Sequence, residues 1–381
     1  MNTTLQDTVK NIFKKTFHKD PLLVFSPGRL NVIGEHTDYN NGFVFPAAID
    51  MGIVAGFQKS QNKHCTVLAI DANEEFHFDL ESMNSLALHS WKSYVVGVVA
   101  EVYQLTDSLE PFQIAFSGNV PSGAGLSSSA ALENSIVFGL NSLFNLGLSK
   151  HEMILISQRA EHKYAGVYCG IMDQFSSMFG EQNSALLLDC RSFESQPYAI
   201  DFDKYQFLLI NTNVKHSLSD SAYNERRRVC EHVASQLQVS SLREVDEMLL
   251  TTIKDQITPD SFQKALYVIQ ESKRVLEAAK AIEENNLVHL GDLLYQSHEG
   301  LQNKYKVSCD ELDFLVEKTK ANIYVLGARM MGGGFGGCTI NLITKSEITA
   351  FKTDVASSYY NAFKKQCSFY EVNLSRGTHL I

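Results

Sequence analysis

No two cysteines in this 381-residue chain are spaced as C-x-x-C, and the seven that occur, from Cys65 to Cys367, are an odd number spread over its length. The plain reading is free thiols in a reducing, cytoplasmic compartment. No stretch approaches the roughly 18 consecutive apolar residues that a membrane-spanning helix requires. The opening "MNTTLQDTVKNIFKKTFHKD" alternates polar and apolar residues at helical spacing, which reads as a folded, mature N-terminus and not a signal peptide. An excess of positive charge is also missing. The formal net charge of −10 argues against a nucleic-acid or acidic-membrane surface, so the expected partner is a small molecule. Nowhere does Gly precede Lys, which excludes a Walker A loop. The single tryptophan, Trp91, is expected to anchor a hydrophobic patch.

What is present is ordinary globular material. With 44% hydrophobic and 20% charged residues, the chain has enough for one large or two medium domains, and two is the default. Neither internal repeats nor linker-like tracts divide it, so organisation follows from element order. Short β-branched and aromatic runs predict strands at 22–25, 43–49, 53–57, 66–70, 112–116, 185–188 and 206–210. A helix is expected after "PSGAG", with Leu132, Ile136, Leu140 and Phe144 on one stripe. Another opens at Ser149, with Glu152 completing a capping box, and runs through Ile156 and Ala160. From about 217 to 319 the pattern is helical, with Phe262, Leu266, Ile269 and Leu276 on one face; strands return at 338–343 and 369–372. The class is α+β, with a soft boundary near 204 separating 1–203 from 204–381.

Four stretches carry chemistry. "MGGGFGGCTI" holds G-x-G-x-x-G at Gly332, Gly334 and Gly337, but the run that follows alternates like a strand, so the dinucleotide fingerprint fails on context. A tight hairpin needs fewer glycines, which favours close backbone approach to a ligand or another loop. "PSGAGLSSSAAL" runs a glycine turn straight into a helix, aiming unpaired amides at an anion, with Ser127, Ser128 and Ser129 adding hydroxyls; the alternative is a serine N-cap after a turn. "SPGRLNVIGEHTDYNNG" packs Arg29, Asn31, Glu35, His36, Asp38, Tyr39, Asn40 and Asn41 into one span, a density that suits sugar hydroxyls or else a solvated loop. "EHKYAGVYCGIMDQFSS" adds Glu161 and Asp173, expected at a helix end and in the loop after it.

Together these stretches resemble the kinase family named for galactokinase, homoserine kinase, mevalonate kinase and phosphomevalonate kinase. Its three motifs appear in order as "PGRLNVIGEHTDY", "PSGAGLSSSA" and "GARMMGGGFGG", and "GEHTDYNNG" resembles the galactokinase branch in particular. The resemblance extends over the whole chain. It implies a two-lobed fold of mixed sheets and helices with the active site in the cleft between lobes, and transfer of the ATP γ-phosphoryl group to the anomeric hydroxyl of galactose with Mg²⁺. By position in the motifs it implies Asp173 as the catalytic carboxylate and Arg29 as its cationic partner. Glu35, His36, Thr37, Asp38, Gly170 and Tyr223 fall at galactose-binding positions. Gly123, Ala124, Gly125, Leu126, Ser127, Ser128 and Ser129 match the ATP phosphate loop, with Ser129 and Glu161 at the Mg²⁺ positions. Galactose and ATP are then the partners of a monomer or weak homo-oligomer that binds neither nucleic acid nor membrane.

Two rivals stand beside that reading. A related kinase could act on N-acetylgalactosamine, arabinose or a uronic acid, since few contacts decide a hydroxyl. A non-catalytic sensor of sugar and ATP is disfavoured by the complete "GLSSSAA" and the presence of Asp173. Arg226 to Arg228 read as a solvated or salt-bridged run beside Tyr223, and Cys169 and Cys338 as bystanders.

Overall fold

The computed structural model describes residues 3–86, 89–106, 108–121, 123–215 and 219–381. Helix α1 (Thr3–Phe17) leads into strands β1 (Leu22–Asn31), β2 (Phe43–Val44), β3 (Pro46–Lys59), β4 (Cys65–Ala69) and β5 (Glu74–Phe78). Then come α2 (Trp91–Tyr103), β6 (Phe112–Gly118), α3 (Ser128–Phe144), α4 (Lys150–Ala160) and α5 (Met172–Phe179). After β7 (Ser184–Asp189), β8 (Ser195–Ala199) and β9 (Tyr205–Lys215) the chain turns helical through α6 (Ser219–Gln236), α7 (Glu247–Thr251), α8 (Pro259–Glu283), α9 (Leu287–Glu299) and α10 (Asp310–Lys320). It closes with β10 (Val325–Met330), β11 (Gly336–Thr344), α11 (Ile348–Phe363), β12 (Ser368–Glu371) and β13 (His379–Leu380).

The strands form a six-stranded sheet ordered β13-β1-β3-β6-β4-β5, a four-stranded sheet ordered β10-β11-β9-β12, and a three-stranded sheet ordered β2-β7-β8. Only β4 and β6 pair in parallel. One face of the six-stranded sheet packs on α2 to α5 through Phe57, Val67 and Ile114 against Val95, Ile136, Leu140 and Ile154. Its other face takes α1 through Val9, Leu23 and Val54. A further core joins the sheets: Leu30, Ile33 and Phe45 meet Leu209, Leu294 and Ile340, with Ala124 and Leu126 of the glycine turn inside it. Helices α10 and α11 cover the four-stranded sheet through Leu315, Phe351 and Val355. Among the described residues no helix is long and apolar enough to cross a membrane.

The stripe Leu132, Ile136, Leu140, Phe144 is buried along α3, and the Ser149–Glu152 capping box opens α4. Trp91 packs edge-on to Phe76 and Phe116 while its indole N–H donates to Glu74, so it does anchor an aromatic patch. Elsewhere the local pattern misleads. The runs 43–49 and 53–57 are not two strands: β3 runs unbroken from 46 to 59, because Gly52 stays in the ladder opposite Pro27 and donates to Asn119 instead of turning. On α8 Ile269 is buried and Phe262 and Leu266 pack against the same core as expected, but Leu276 is 42% exposed and Val275, Ala279 and Ile282 turn inward instead. Strands β5, β8, β10 and β13 carry weak signals. Pro197 in β8 is tolerated because that strand lies at a sheet edge.

Truncation of Ile136, wholly buried on α3, to alanine is expected to cost about 2–5 kcal/mol in urea unfolding, against less than about 1 kcal/mol for Leu276→Ala.

Candidate functional site: a carboxylate-lined cavity between the three motifs

Strand β1 shifts register between Pro27 and Arg29. At that irregularity the Arg29 N–H donates to the carbonyl of Leu126 at 3.1 Å, docking the glycine turn onto the strand. The Arg29 guanidinium then reaches α5: Nε donates to Asp173 Oδ1 and Nη2 to Oδ2, both at 2.9 Å, while Nη1 donates to the carbonyl of Gly125. Arg29 is only 5% exposed and Asp173 26%, so the fork is largely shielded while the carboxylate keeps an open side. Burial opposes the guanidinium charge, but Asp173, Glu35 and Asp38 outweigh it and raise the Arg29 pKa. Buried hydroxyls hold the two elements together below the pair. Ser26 Oγ lies 3.1 Å from Ser177 Oγ and 2.9 Å from Thr378 Oγ1, so the C-terminal segment bridges β1 and α5.

Ser127 occupies the N-cap position of α3 in left-handed backbone and makes no capping bond. Its hydroxyl donates to Asp173 Oδ2 instead, which sets aside the reading of this serine as a simple cap. Ser129 donates to Glu161 Oε1 at 3.2 Å, and the first-turn amides of α3 lack intrahelical acceptors. Not every loop residue offers a free group. The Ala124 N–H donates to the carbonyl of Pro121, and the Ala124 and Leu126 side chains are buried. The third motif packs on this loop backbone to backbone. Gly332, at φ +84°, would press a Cβ to 3.3 Å from the carbonyl oxygen of Gly125. Its glycines serve a hairpin between β10 and β11 and a close loop contact together.

The first and third motifs, with the stretch from Glu161 to Asp173, enclose a cavity of about 110 Å³ lined by Arg29, Glu35, His36, Asp38, Glu161, Cys169, Asp173, Tyr223 and Gly332 among others. Gly170 supports Asp38 closely: a Cβ there would fall 2.0 Å from Asp38 Oδ2. His36 sits at φ +63°. Burial, then Arg226, push its pKa down to about 3, so the ring is neutral. Neutrality assigns the tautomer: Nε2–H donates to the carbonyl of Gly333 at 3.2 Å, and Nδ1 accepts from the Tyr39 hydroxyl at 2.8 Å. The Tyr39 hydroxyl lies 2.6 Å from that of Tyr305. Burial, reinforced by Asp173, raises Asp38 to about 7. Glu161 is likewise raised to about 7, by burial first and Asp173 second.

Thr37 is not placed on the cavity. Its hydroxyl donates to the carbonyls of Gly34 and Phe43, closing the loop from behind. Glu161 begins a π-turn (Glu161–Ala165) continuing α4, and Asp173 lies in the first turn of α5 rather than in a loop. Several residues of the site carry no sequence signal. Glu133, fully buried on α3, shares the Gln174 amide with Glu161, and burial raises its carboxyl well above the usual range. Cys169, taken as a bystander, forms cavity wall and donates to Glu161 Oε2 at 3.4 Å. In the arginine run Arg226 pairs with Glu225 and also donates to the carbonyls of Tyr305 and Lys306, and Arg227 pairs with Glu231, so the salt-bridged reading holds for these two.

Comparison with known proteins agrees with this geometry. Residues 93–181 match the family model "GHMP kinases N terminal domain" and residues 278–361 match "GHMP kinases C terminal". The fold and cavity thus define a GHMP-type small-molecule kinase, and a mevalonate kinase from Methanococcus jannaschii shares the fold at TM-score 0.68 and 17% identity, over 94% of this chain and 99% of that one. Residues 11–59 match the "Galactokinase galactose-binding signature". Galactokinases of Clostridium beijerinckii and Thermotoga maritima are 40% and 37% identical, covering 98% and 94% of this chain and 99% of each relative. A crystal structure of Lactococcus lactis galactokinase complexed with galactose superposes at TM-score 0.95 with 32% identity, over 99% of this chain and 100% of that one. The chain belongs to the galactokinase family.

A carboxyl displaced upward on folding destabilises the protein once it must ionise, so the penalty from Asp38 is absent near pH 4 and complete above pH 7. Asp38→Asn is therefore expected to raise the melting temperature of the ligand-free protein at pH 8, by the equivalent of about 1–4 kcal/mol, with the gain shrinking as pH falls from 7 towards 4. A thermal-melt series across that window measures it.

Proposed function

We propose that this chain catalyses transfer of the γ-phosphoryl group of ATP to the anomeric hydroxyl of galactose, giving galactose 1-phosphate and ADP, with the lobes 1–203 and 204–381 flanking the site. It is an ATP-dependent sugar kinase. The observation that carries the catalytic assignment is the carboxylate of Asp173, held by both arms of Arg29 and by Ser127 of the glycine turn, at the wall of a cavity lined with acceptors.

In this reading Glu35 and Asp38 accept from sugar hydroxyls, while Tyr223 and the neutral His36 wall the sugar side. Asp173 accepts the proton of the anomeric hydroxyl as that oxygen bonds to phosphorus and the bond from phosphorus to the ADP oxygen breaks. Arg29 neutralises charge developing beside Asp173, and the open amides of the glycine turn and α3 receive phosphate oxygens. Positioning and charge compensation thus supply most of the catalysis.

Ser129 and Glu161 form an oxygen pair that suits Mg²⁺, and a cation there would relieve the carboxylate crowding that lifts Glu161. Among the described residues no cluster of three or more His, Cys, Asp or Glu could hold a metal, which fits an ion that takes its remaining ligands from phosphates and water. Bound there, Mg²⁺ would offset phosphate charge during transfer. The seven free cysteines support a cytoplasmic setting.

Steady ADP release from galactose and Mg-ATP, screened against talose, N-acetylgalactosamine, arabinose and glucuronate, tests the reaction; sugar binding without turnover would favour a sensor. Asp173→Asn is expected to lower kcat by ~10²–10⁴-fold in a protein that still folds, with a lowered melting temperature because the Arg29 charge is left unpaired. Near-normal turnover in that variant would remove the proton-accepting role.

A further inference from the structure

We propose that Arg329 is a positioning residue for substrate recognition: with the Gly332 amide it captures one oxygen of Glu35 and leaves the other to face the sugar. The inference rests on reading the cavity as the sugar site.

Arg329 lies on β10, nearly three hundred residues from Glu35, and is wholly buried. Its guanidinium carries five N–H groups, and each has an acceptor. Nε donates to the carbonyl of Val32 at 2.9 Å. Nη1 donates to the carbonyl of Met330 and to Glu35 Oε1, the latter at 3.2 Å. Nη2 donates to the carbonyl of Asn31 and again to Glu35 Oε1 at 3.2 Å. The Gly332 N–H reaches the same oxygen at 2.8 Å.

Three donors therefore converge on Oε1, whereas Oε2 accepts from no described residue, although Glu35 lines the cavity. A carboxylate that only balanced a buried cation would present both oxygens to the guanidinium fork, the usual bidentate geometry. Here the fork is spread over the carbonyls of Asn31 at the end of β1 and of Val32 just beyond it, its own strand's carbonyl and one carboxylate oxygen. That arrangement fixes the carboxylate plane and reserves an acceptor for a ligand. It also locks the strand carrying Arg29 to the strand that opens the third motif, so sugar loop and glycine hairpin share one joint. Lysine, with three donors on a flexible stem, cannot reproduce the pattern.

The test uses the full-length protein, with steady-state kinetics in each substrate, equilibrium galactose binding and thermal melts. Arg329→Lys and Glu35→Gln are each expected to raise KM for galactose roughly 10- to 100-fold, with KM for Mg-ATP moving less than about 2-fold. In Glu35→Gln the side-chain carbonyl stays in the clamp and an amide donor replaces the sugar-facing acceptor; the melt falls because Arg329 loses its counter-charge, so the split between the two KM values is the readout. Adding Arg329→Lys to that variant is expected to change KM for galactose less than about 3-fold further, because the arginine acts through Glu35. Should Arg329→Lys fail to fold, Glu35→Asp, which withdraws the carboxylate from the clamp, decides by the same split between substrates. A folded Arg329→Lys with normal KM for galactose, equal shifts in both KM values, or full multiplication of the two effects overturns the proposal. If the unmodified protein phosphorylates a different sugar instead, galactose as substrate is wrong, and the same split measured with that sugar supports or overturns the role of Arg329.

Discussion

The fork between Arg29 and Asp173 is the constraint around which the rest is arranged. It joins residues 144 positions apart, and a largely buried pair of charges tolerates little misplacement, because removing either partner leaves the other unpaired in a poorly solvating interior. Each neighbouring feature serves its alignment. The register shift in β1 turns Arg29 towards α5, the carbonyls of Gly125 and Leu126 anchor the glycine turn to the same residue, and Ser127 gives up its capping bond to hold Asp173. The glycine turn and the Asp173 carboxylate are thereby referenced to a single guanidinium.

Around that pair the cavity concentrates negative charge. Glu35, Asp38, Glu161 and Asp173 line it, Glu133 lies behind Glu161, and Arg29 and Arg329 are the cations bonded directly to these carboxylates. Burial alone disfavours such a set, and the upward displacement of Asp38 and Glu161 records the strain. A polyol can satisfy the acceptors and a divalent ion can offset the excess charge. The site is therefore electrostatically incomplete without its substrates, in keeping with recognition sites that hold stability in reserve for binding.

The sequence exposed the chemistry better than the architecture. Arg29, Glu35, His36 and Asp38 were legible because polar groups dense enough to be costly when buried stand close together in the chain, flanked by glycine turns, whereas Asp173 stood out only through the family resemblance. Arg329 was not, since an arginine inside "VLGARM" has no local mark of burial, and its partners Asn31, Val32 and Glu35 are almost the whole chain away. Cys169 and Glu133 likewise carry no local mark of burial, although their partners Glu161 and Gln174 are much nearer in the chain. Among the elements, α3 and α4 were clear from periodicity and capping, whereas the unbroken β3 depended on Gly52 finding Pro27 across the sheet. Leu276 shows the converse: it continues the helical spacing of Phe262, Leu266 and Ile269, but those three pack inward while Leu276 stays on the surface.

Strand β13 pairs with β1 after the chain has already built the four-stranded sheet, and Ile381 donates to the carbonyl of Leu23. The polypeptide therefore leaves the six-stranded sheet after β6, builds the four-stranded sheet from β9 to β12 and returns to the first sheet with its last strand. That return covers the edge of β1, the strand that carries Arg29, so the backbone beneath the buried fork is flanked on both sides and offers no open ladder to a foreign strand.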